Sequence, residues 1–438
     1  MASLSTLVSV VFFFVARSFG CLESQFGDLC TSSPLRRGWA QLDGILQRPL
    51  SSGALQSPLN EDPIPAASPS SPWSYTGDCA QELGDESPTC VYANRSFANG
   101  RGISIITTPE RAAYIAKTPA FLDSSILSHV NDYSSPPYEE RELPGRGRGL
   151  IANKTLRRGD VIFSSTPILI LDSDSFEFEQ DSVQEGQRYA AVVNLPSKTE
   201  MLFWGLYGQL WQDPITDRVN TNSFAADIDD ENFSVVFPEI AVCCTSLTRD
   251  TRLLTKRQRL NHDCRPNAEY YFNSRTLTQD VVASTTIHPG TEITISYIDV
   301  SQPRDKRVSQ LANWGINCSC HACTRSATLT AASDARLAQI SELDRNLSRE
   351  IARPELPEKL LSLYKEEGLF GFLGAAYRFA ALSYCAEGQR SQAVKYAQMA
   401  FDSALSDNAL NLDQALHMKR LAQRPEEQMC WQFRQRFE

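Results

Sequence analysis

Short apolar runs separated by polar turns fill the middle of the chain, and a three- and four-residue apolar spacing replaces them toward its end. Val161-Ile162-Phe163 and Ile168-Leu169-Ile170-Leu171 follow the turn Arg157-Arg158-Gly159-Asp160 and predict two buried strands. Val281-Val282-Ala283 and Ile293-Thr294-Ile295-Ser296-Tyr297 predict two more, with Pro289-Gly290 as the turn between them. Nearer the start, Gly100-Arg101-Gly102 reads as a turn into a strand over Ile103-Ser104-Ile105-Ile106. Between these strands, 181–212 carries Tyr189, Val192, Val193, Leu202, Phe203, Leu206 and Leu210 at helical spacing.

Beyond Cys323 the spacing is helical to the end, first over Ala331 to Leu347 and again over Tyr377 to Leu405. Ala381, Tyr384, Gly388, Ala393, Tyr396 and Ala400 are spaced like one helix-turn-helix unit of the tetratricopeptide kind. A single unit cannot bury its own face, so the segment reads as a helical cap or partner surface. A plain helical hairpin is the other reading. Two stretches have neither period. Ser51 to Ser74 is rich in Pro and Ser and reads as a linker, and Pro136-Pro137 marks a boundary. Leu4 to Val15 is a short apolar run followed by Ser18-Phe19-Gly20, the pattern of a secretory signal peptide, although no Lys or Arg precedes it. A buried N-terminal strand or an unusual start site is the competing reading. The run is too short for an ordinary membrane-spanning helix.

The expected divisions are therefore a signal segment over 1–20, a Ser/Pro/Cys-containing region over 21–134, a β-rich domain over 135–298 with a helical insertion at about 173–240, a cysteine-bearing segment over 299–324, and an α-helical domain over 325–438. The fold class is α+β.

Composition adds little except through charge. The 438 residues hold 42 Lys and Arg against 52 Asp and Glu, a net charge of −10. Phosphate binding needs clustered cations, so direct nucleic-acid binding is disfavoured. A basic, lysine-rich peptide is a better fit for the charge than nucleic acid, and an aid to solubility alone is the plainer reading of it. Cysteines divide along the chain. Cys21, Cys30, Cys79 and Cys90 follow the apolar leader and suggest two disulfides with three possible pairings. Asn94, Asn153, Asn232, Asn317 and Asn346 head glycosylation triplets that matter only if the chain is secreted.

Four local patterns carry chemistry. Asn261-His262-Asp263-Cys264-Arg265-Pro266-Asn267 packs polar handles into seven positions, and its proline excludes a helix. Cys318-Ser319-Cys320-His321-Ala322-Cys323 supplies three thiols that suit zinc, which prefers four ligands. His321 sits too close between ligands to reach the same ion comfortably, so Cys264 is the better fourth donor. A disulfide within this run is the alternative, though the spacing of Cys318 and Cys320 is strained for one. Gly147-Arg148-Gly149 opens a strand and lets a ligand approach the backbone, with Gly100-Arg101-Gly102 as a rival of the same letters. Gly290-Thr291-Glu292 leads the strand that ends at Tyr297, a residue that alone would read as ordinary core.

These four patterns, in this order over about 140–323, resemble the SET family of protein lysine methyltransferases. The Trp314-Gly315-Ile316-Asn317 run before the cysteines is similar to a fungal group of SET proteins with secretory-looking starts. Asp263 stands where the family usually has Ser, and Ser296 where Asp is frequent. The resemblance implies a β-rich SET fold with a pseudoknot-like threaded loop, a zinc-tied post-SET tail and an α-helical C-terminal domain. It implies that S-adenosylmethionine is held by Gly147, Arg148, Gly149, Asn261 and His262, that Tyr297 stands beside the methyl path, and that Cys264, Cys318, Cys320 and Cys323 bind a structural Zn2+. Tyr270, Tyr271 and Phe272 are candidate walls of a lysine channel, with ordinary strand packing as the equal alternative. Trp314 and His321 are candidates for stacking near adenine. The implied partner is a lysine-containing protein or peptide, with further partner contacts possible on the C-terminal helices. Against a secretory route, the cofactor is made in the cytosol and zinc thiolates suit reducing compartments, so the leader alone does not fix a location, and a nuclear or cytoplasmic one is the alternative.

Overall fold

The structure is a computed structural model that describes residues 71–81, 87–172, 181–208, 213–229, 231–241, 260–312, 315–404 and 412–436. The leader over 1–20, Cys21, Cys30, Leu210 and Trp314 lie outside these residues.

Thirteen strands among the described residues form three sheets. Strands β1 (Tyr75–Ala80), β2 (Thr89–Asn94) and β3 (Ile103–Thr107) form antiparallel neighbours, and helix α1 (Pro109–Ile115) follows. Thr108 caps α1 by accepting the Arg111 backbone N–H, and Pro109 starts the helix where no N–H partner is needed. Strands β4 (Tyr138–Leu143), β5 (Gly147–Ala152), β6 (Val161–Ser165) and β7 (Leu169–Asp172) come next. The parallel pairing of β3 with β7 joins the N-terminal hairpins to the rest. Residues 73–134 are thus no separate region. Trp73, Tyr92, Phe97, Ile105 and Leu127 share one apolar core with Leu150, Phe163, Val281 and Ile295. The boundary expected at 134 runs through this core.

Helices α2 (Asp181–Val193), α3 (Ser197–Trp204) and α4 (Pro214–Asn222) occupy the insertion. Val192, Phe203 and Leu206 are buried as their spacing predicts, while Tyr189 and Val193 face outward. The insertion is not helical to 240, because β8 (Ser223–Ile228) and β9 (Glu231–Val236) form a hairpin that completes the six-stranded sheet in the order β1-β2-β3-β7-β9-β8. The alternation in Phe224-Ala225-Ala226-Asp227-Ile228 is short and broken by small and acidic residues, which hides the strand period.

The two smaller sheets hold the site. Strand β10 (Asn261–His262) is followed by β11 (Ala268–Asn273), β12 (Thr278–Ala283) and β13 (Glu292–Ile295). One sheet has the order β10-β13-β5-β4, the other β11-β12-β6. Strand β10 pairs parallel with β13, an arrangement that two adjacent strands of a hairpin cannot adopt, so the intervening chain must cross over. Here the segment 261–267 is threaded against β13.

The rest is helical: α5 (Arg304–Ala312), α6 (Ala327–Arg349), α7 (Glu355–Glu367), α8 (Leu373–Ala386), α9 (Arg390–Ser403) and α10 (Leu412–Gln423). Ser326 caps α6, and Gly368 ends α7 at φ +71°, a left-handed conformation that suits glycine. These helices share one apolar core with Ile298, Val300, Cys264, Cys320 and Cys323, so the cysteine segment is packed into the helical region. Two disulfides are present among the described residues. Cys79–Cys90 ties β1 to β2, one of the pairings open from sequence, and Cys385–Cys430 fastens the end of the chain to α8. The second was not anticipated. No described helix is long and apolar enough to cross a membrane.

Candidate active site and metal centre

Side chains of the threaded segment bond to backbone on both of its flanks. The Asn261 Nδ2 donates to the Arg148 carbonyl at 3.1 Å and to Glu292 Oε1 at 2.7 Å. Asn267 is the second pin. Its Nδ2 donates to the Glu292 carbonyl, and its Oδ1 accepts from the Thr294 N–H. The Asn267 side chain thereby satisfies the Glu292 carbonyl and the Thr294 N–H of β13.

The glycine turn lies against this segment. Gly147 has φ +69°, and a Cβ on Gly149 would lie 2.7 Å from Glu292 Oε1 and 3.0 Å from Asn261 Nδ2. A side chain at 149 would therefore have to push aside the ends of the Glu292, Leu143 and Asn261 side chains. Arg148 is half exposed and lies 3.8 Å from Glu140. Arg146, which the sequence reading did not single out, donates to the His262 carbonyl at 2.9 Å and pairs with Glu292 at 3.4 Å.

His262 links this site to the cysteines. The Tyr297 N–H donates to its Nδ1 at 3.1 Å, which places the ring proton on Nε2, and Nε2 stands 3.3 Å from the Cys264 sulfur. Burial pushes the imidazole down to about 4, against the field of Cys320 and helped by Arg146 and Arg307. The ring is therefore neutral, and its Nε2–H donates to the sulfur. The Tyr297 ring lies beside His262, and its hydroxyl donates to the Leu260 carbonyl at 2.5 Å. Tyr297 thus packs against His262, whose chain neighbour Asn261 lies against Gly149.

The two departures from the family pattern have local roles. Asp263 accepts the Arg265 N–H at 2.8 Å, and burial pushes its carboxyl up to about 6. Ser296 bonds the Ile298 backbone, closing its own turn.

Cys264, Cys318, Cys320 and Cys323 bring four sulfurs within 4.8 Å of one another, with Cys264 and Cys323 at 3.5 Å. Zinc–sulfur bonds of about 2.3 Å in a tetrahedron put sulfurs about 3.8 Å apart, so the set fits a four-thiolate site. Bonds among the sulfurs hold Cys320 far below the ordinary thiol range and push Cys264 far above it. Arg307 is fully buried, donates to the Gln302 carbonyl and lies in the field of the Cys264 and Cys323 sulfurs. Burial opposes its charge, yet the sulfurs keep it protonated. A buried cation beside four thiols is what a dianionic zinc–thiolate centre calls for. Nothing in the sequence distinguished Arg307 from its charged neighbours Arg304, Asp305 and Lys306. His321 is exposed and stands outside the sulfur group.

The three candidate channel residues divide between the two faces of β11. Tyr270 and Phe272 share one face, edge-on to Phe224 and Phe237, whereas Tyr271 takes the other, toward Asp280 across the β11–β12 pairing.

Known proteins place this geometry. Residues 147–298 match the family described as SET domain. This stretch of the chain is a SET domain. The chain is 26% identical over 226 residues to the histone-lysine N-methyltransferase set5 of Schizosaccharomyces pombe, a match covering 50% of this chain and 61% of that protein. It is 42% identical over 67 residues to the protein-lysine N-trimethyltransferase SMYD5 of Mus musculus, covering 14% of this chain and 16% of the mouse protein. A third relative, the histone-lysine N-methyltransferase SET5 of Meyerozyma guilliermondii, is 36% identical over 77 residues, 17% of this chain and 16% of its own. The chain thus spans under two thirds of each of these relatives.

Proposed function

We propose that the SET domain transfers a methyl group from S-adenosylmethionine to the side-chain nitrogen of a lysine in a protein substrate. The observation that carries this reading is the tie between Asn261, the Arg148 carbonyl and Glu292, which sets the asparagine–histidine segment against the glycine turn beside Tyr297.

Bound S-adenosylmethionine supplies a methyl on a positively charged sulfur, which a neutral amine displaces in line. Transfer would make the N–C bond as the C–S bond breaks, leaving a neutral thioether and passing the amine proton to water. The rate gain then comes from orientation and exclusion of water. Gly147 and Gly149 let a ligand approach the strand backbone, and Asn261 and His262 fix the neighbouring segment. Tyr297 keeps its ring at that junction, where its hydroxyl can orient an amine and answer charge that develops in the transition state. The four cysteines would hold a structural zinc with no open position, tying the tail to the threaded segment. The set5 and SMYD5 names motivate a protein lysine as acceptor.

The test is transfer of labelled methyl to histones and to mixed cell protein, beside calorimetric binding of S-adenosylmethionine. Tyr297→Phe is expected to lower the transfer rate about 100-fold or more, while cofactor affinity and melting temperature stay close to those of the parent. Binding without any transfer by the parent protein would turn the reading to a SET-shaped peptide-binding module.

A further inference from the structure

Glu367 ends α7, 69 positions beyond the SET domain match, yet its side chain is wholly buried behind the threaded segment. Its Oε2 accepts from Arg265 Nη2 at 2.6 Å and from the Ser333 hydroxyl at 2.7 Å, and its Oε1 accepts from Arg336 Nε at 2.6 Å. Arg325 stands at 3.9 Å. One carboxylate therefore gathers groups from the threaded segment, the tail and α6.

Arg265 is the group that carries this anchor into the site. It follows Cys264 directly, donates to the Cys264 carbonyl at 2.6 Å and reaches the Val300 carbonyl at 3.4 Å. Its guanidinium thus spans the metal-ligand backbone, the chain after Tyr297 and α7. A second contact lies beside it, because Gly371, just past α7, approaches Glu269 so closely that a Cβ there would fall 2.4 Å from Glu269 Oε1.

We propose that Glu367 is a positioning residue of the helical region, which through Arg265 sets the backbone of residues 263–267 and with it the Cys264 ligand and the Asn261–His262 pair. This rests on the reading above for its cofactor arm alone. A buried carboxylate that faced only α6 would hold helices together and leave the segment indifferent to it. The bond to Arg265 makes the two regions one device, and the three arginines separate its uses. Arg265 lies on the segment side of the carboxylate and Arg336 on the helix side.

The experiment uses the full chain and the variants Glu367→Gln, Arg265→Met and Arg336→Met, with circular dichroism as the check of folding. Hydrogen exchange at the amides of 263–268 is the primary readout, since it needs neither metal nor cofactor. Zinc release to a chelator and S-adenosylmethionine affinity by calorimetry are the others. Glu367→Gln and Arg265→Met are expected to speed exchange and zinc release about 10-fold or more and to weaken cofactor binding by a similar factor. Their double variant is expected to be no worse than either alone. Arg336→Met is expected to lower the melting temperature while leaving all three readouts near the parent. Equal effects from Arg336→Met and Arg265→Met would overturn the proposal, because the carboxylate would then be structural only. If Glu367→Gln does not fold, Arg265→Met against Arg336→Met decides alone. If the parent binds no S-adenosylmethionine but the exchange pattern appears as described, the functional reading fails and the positioning role stands.

Discussion

The segment 261–267 is held differently on its two sides. Toward the sheets, Asn261 and Asn267 bond to backbone and side-chain groups on β5 and β13, in several neutral or singly charged hydrogen bonds. Toward the helices, the segment depends on two concentrated charges, the cysteine cluster with Arg307 and the Glu367 carboxylate with its arginines. Distributed bonds each contribute about 1 kcal/mol and fail gradually. A buried ion group fails all at once, because the partner left behind is charged and dry. The sheet side should therefore lose function before stability, and the helix side the reverse.

The largest expected effect is at the sulfurs. Stripping metal with a chelator, or Cys320→Ser, is expected to cost several kcal/mol and to melt the tail and helical region first. Metal analysis alongside thermal melting measures this, and melting that is identical with and without zinc would break the comparison at its stronger end. Glu367→Ala comes next, at about 3–5 kcal/mol, since it leaves Arg265 and Arg336 facing a void. Denaturant unfolding reads the cost, and a loss under 1 kcal/mol would mean that solvent reaches these guanidiniums.

Gly149→Ala sharpens the other side. The added methyl displaces Glu292 and Asn261, at a cost of about 1–3 kcal/mol, and methyl transfer should fall much further than stability. A variant that keeps full transfer would show that the glycine turn does not serve the cofactor. The smallest effect is acid dependence. Burial alone would raise the Glu367 carboxyl, but bonds from Arg265, Ser333 and Arg336 hold it below its ordinary value of 4.5. Its contribution is thus complete above about pH 4.5 and fades as pH falls through the lower, folded-state value. Melting temperatures of the parent and Glu367→Gln should converge on acidification, and curves that stay parallel would contradict this.

What the sequence disclosed follows the same division. Asn261, His262, Cys264 and the Cys318–Cys323 run are contiguous, and no helix or strand asks for those residue types together, so they stood out. Tyr297 was legible only in their company. Arg307, Glu367 and Arg265 were not, since a charged residue on a helix or beside a proline has the same letter whether it faces water or is buried. Only the packing of distant segments tells them apart. The hairpin of β8 and β9 was hidden for a different reason, its short alternation interrupted by Ala and Asp. The first two strands were obscured by the Ser- and Pro-rich chain around them, whereas the third was legible from the turn at Gly100-Arg101-Gly102.

The parallel pairing of β3 with β7 has a practical consequence for anyone expressing the catalytic part by itself. A fragment cut at 147 and 298 would leave β7 with one flank unprotected and would remove Trp73, Tyr92, Phe97 and Ile105 from the interior they fill. Exposed strand flanks and vacated apolar space favour self-association. The smallest soluble piece should begin ahead of Trp73, well outside the limits that sequence similarity draws.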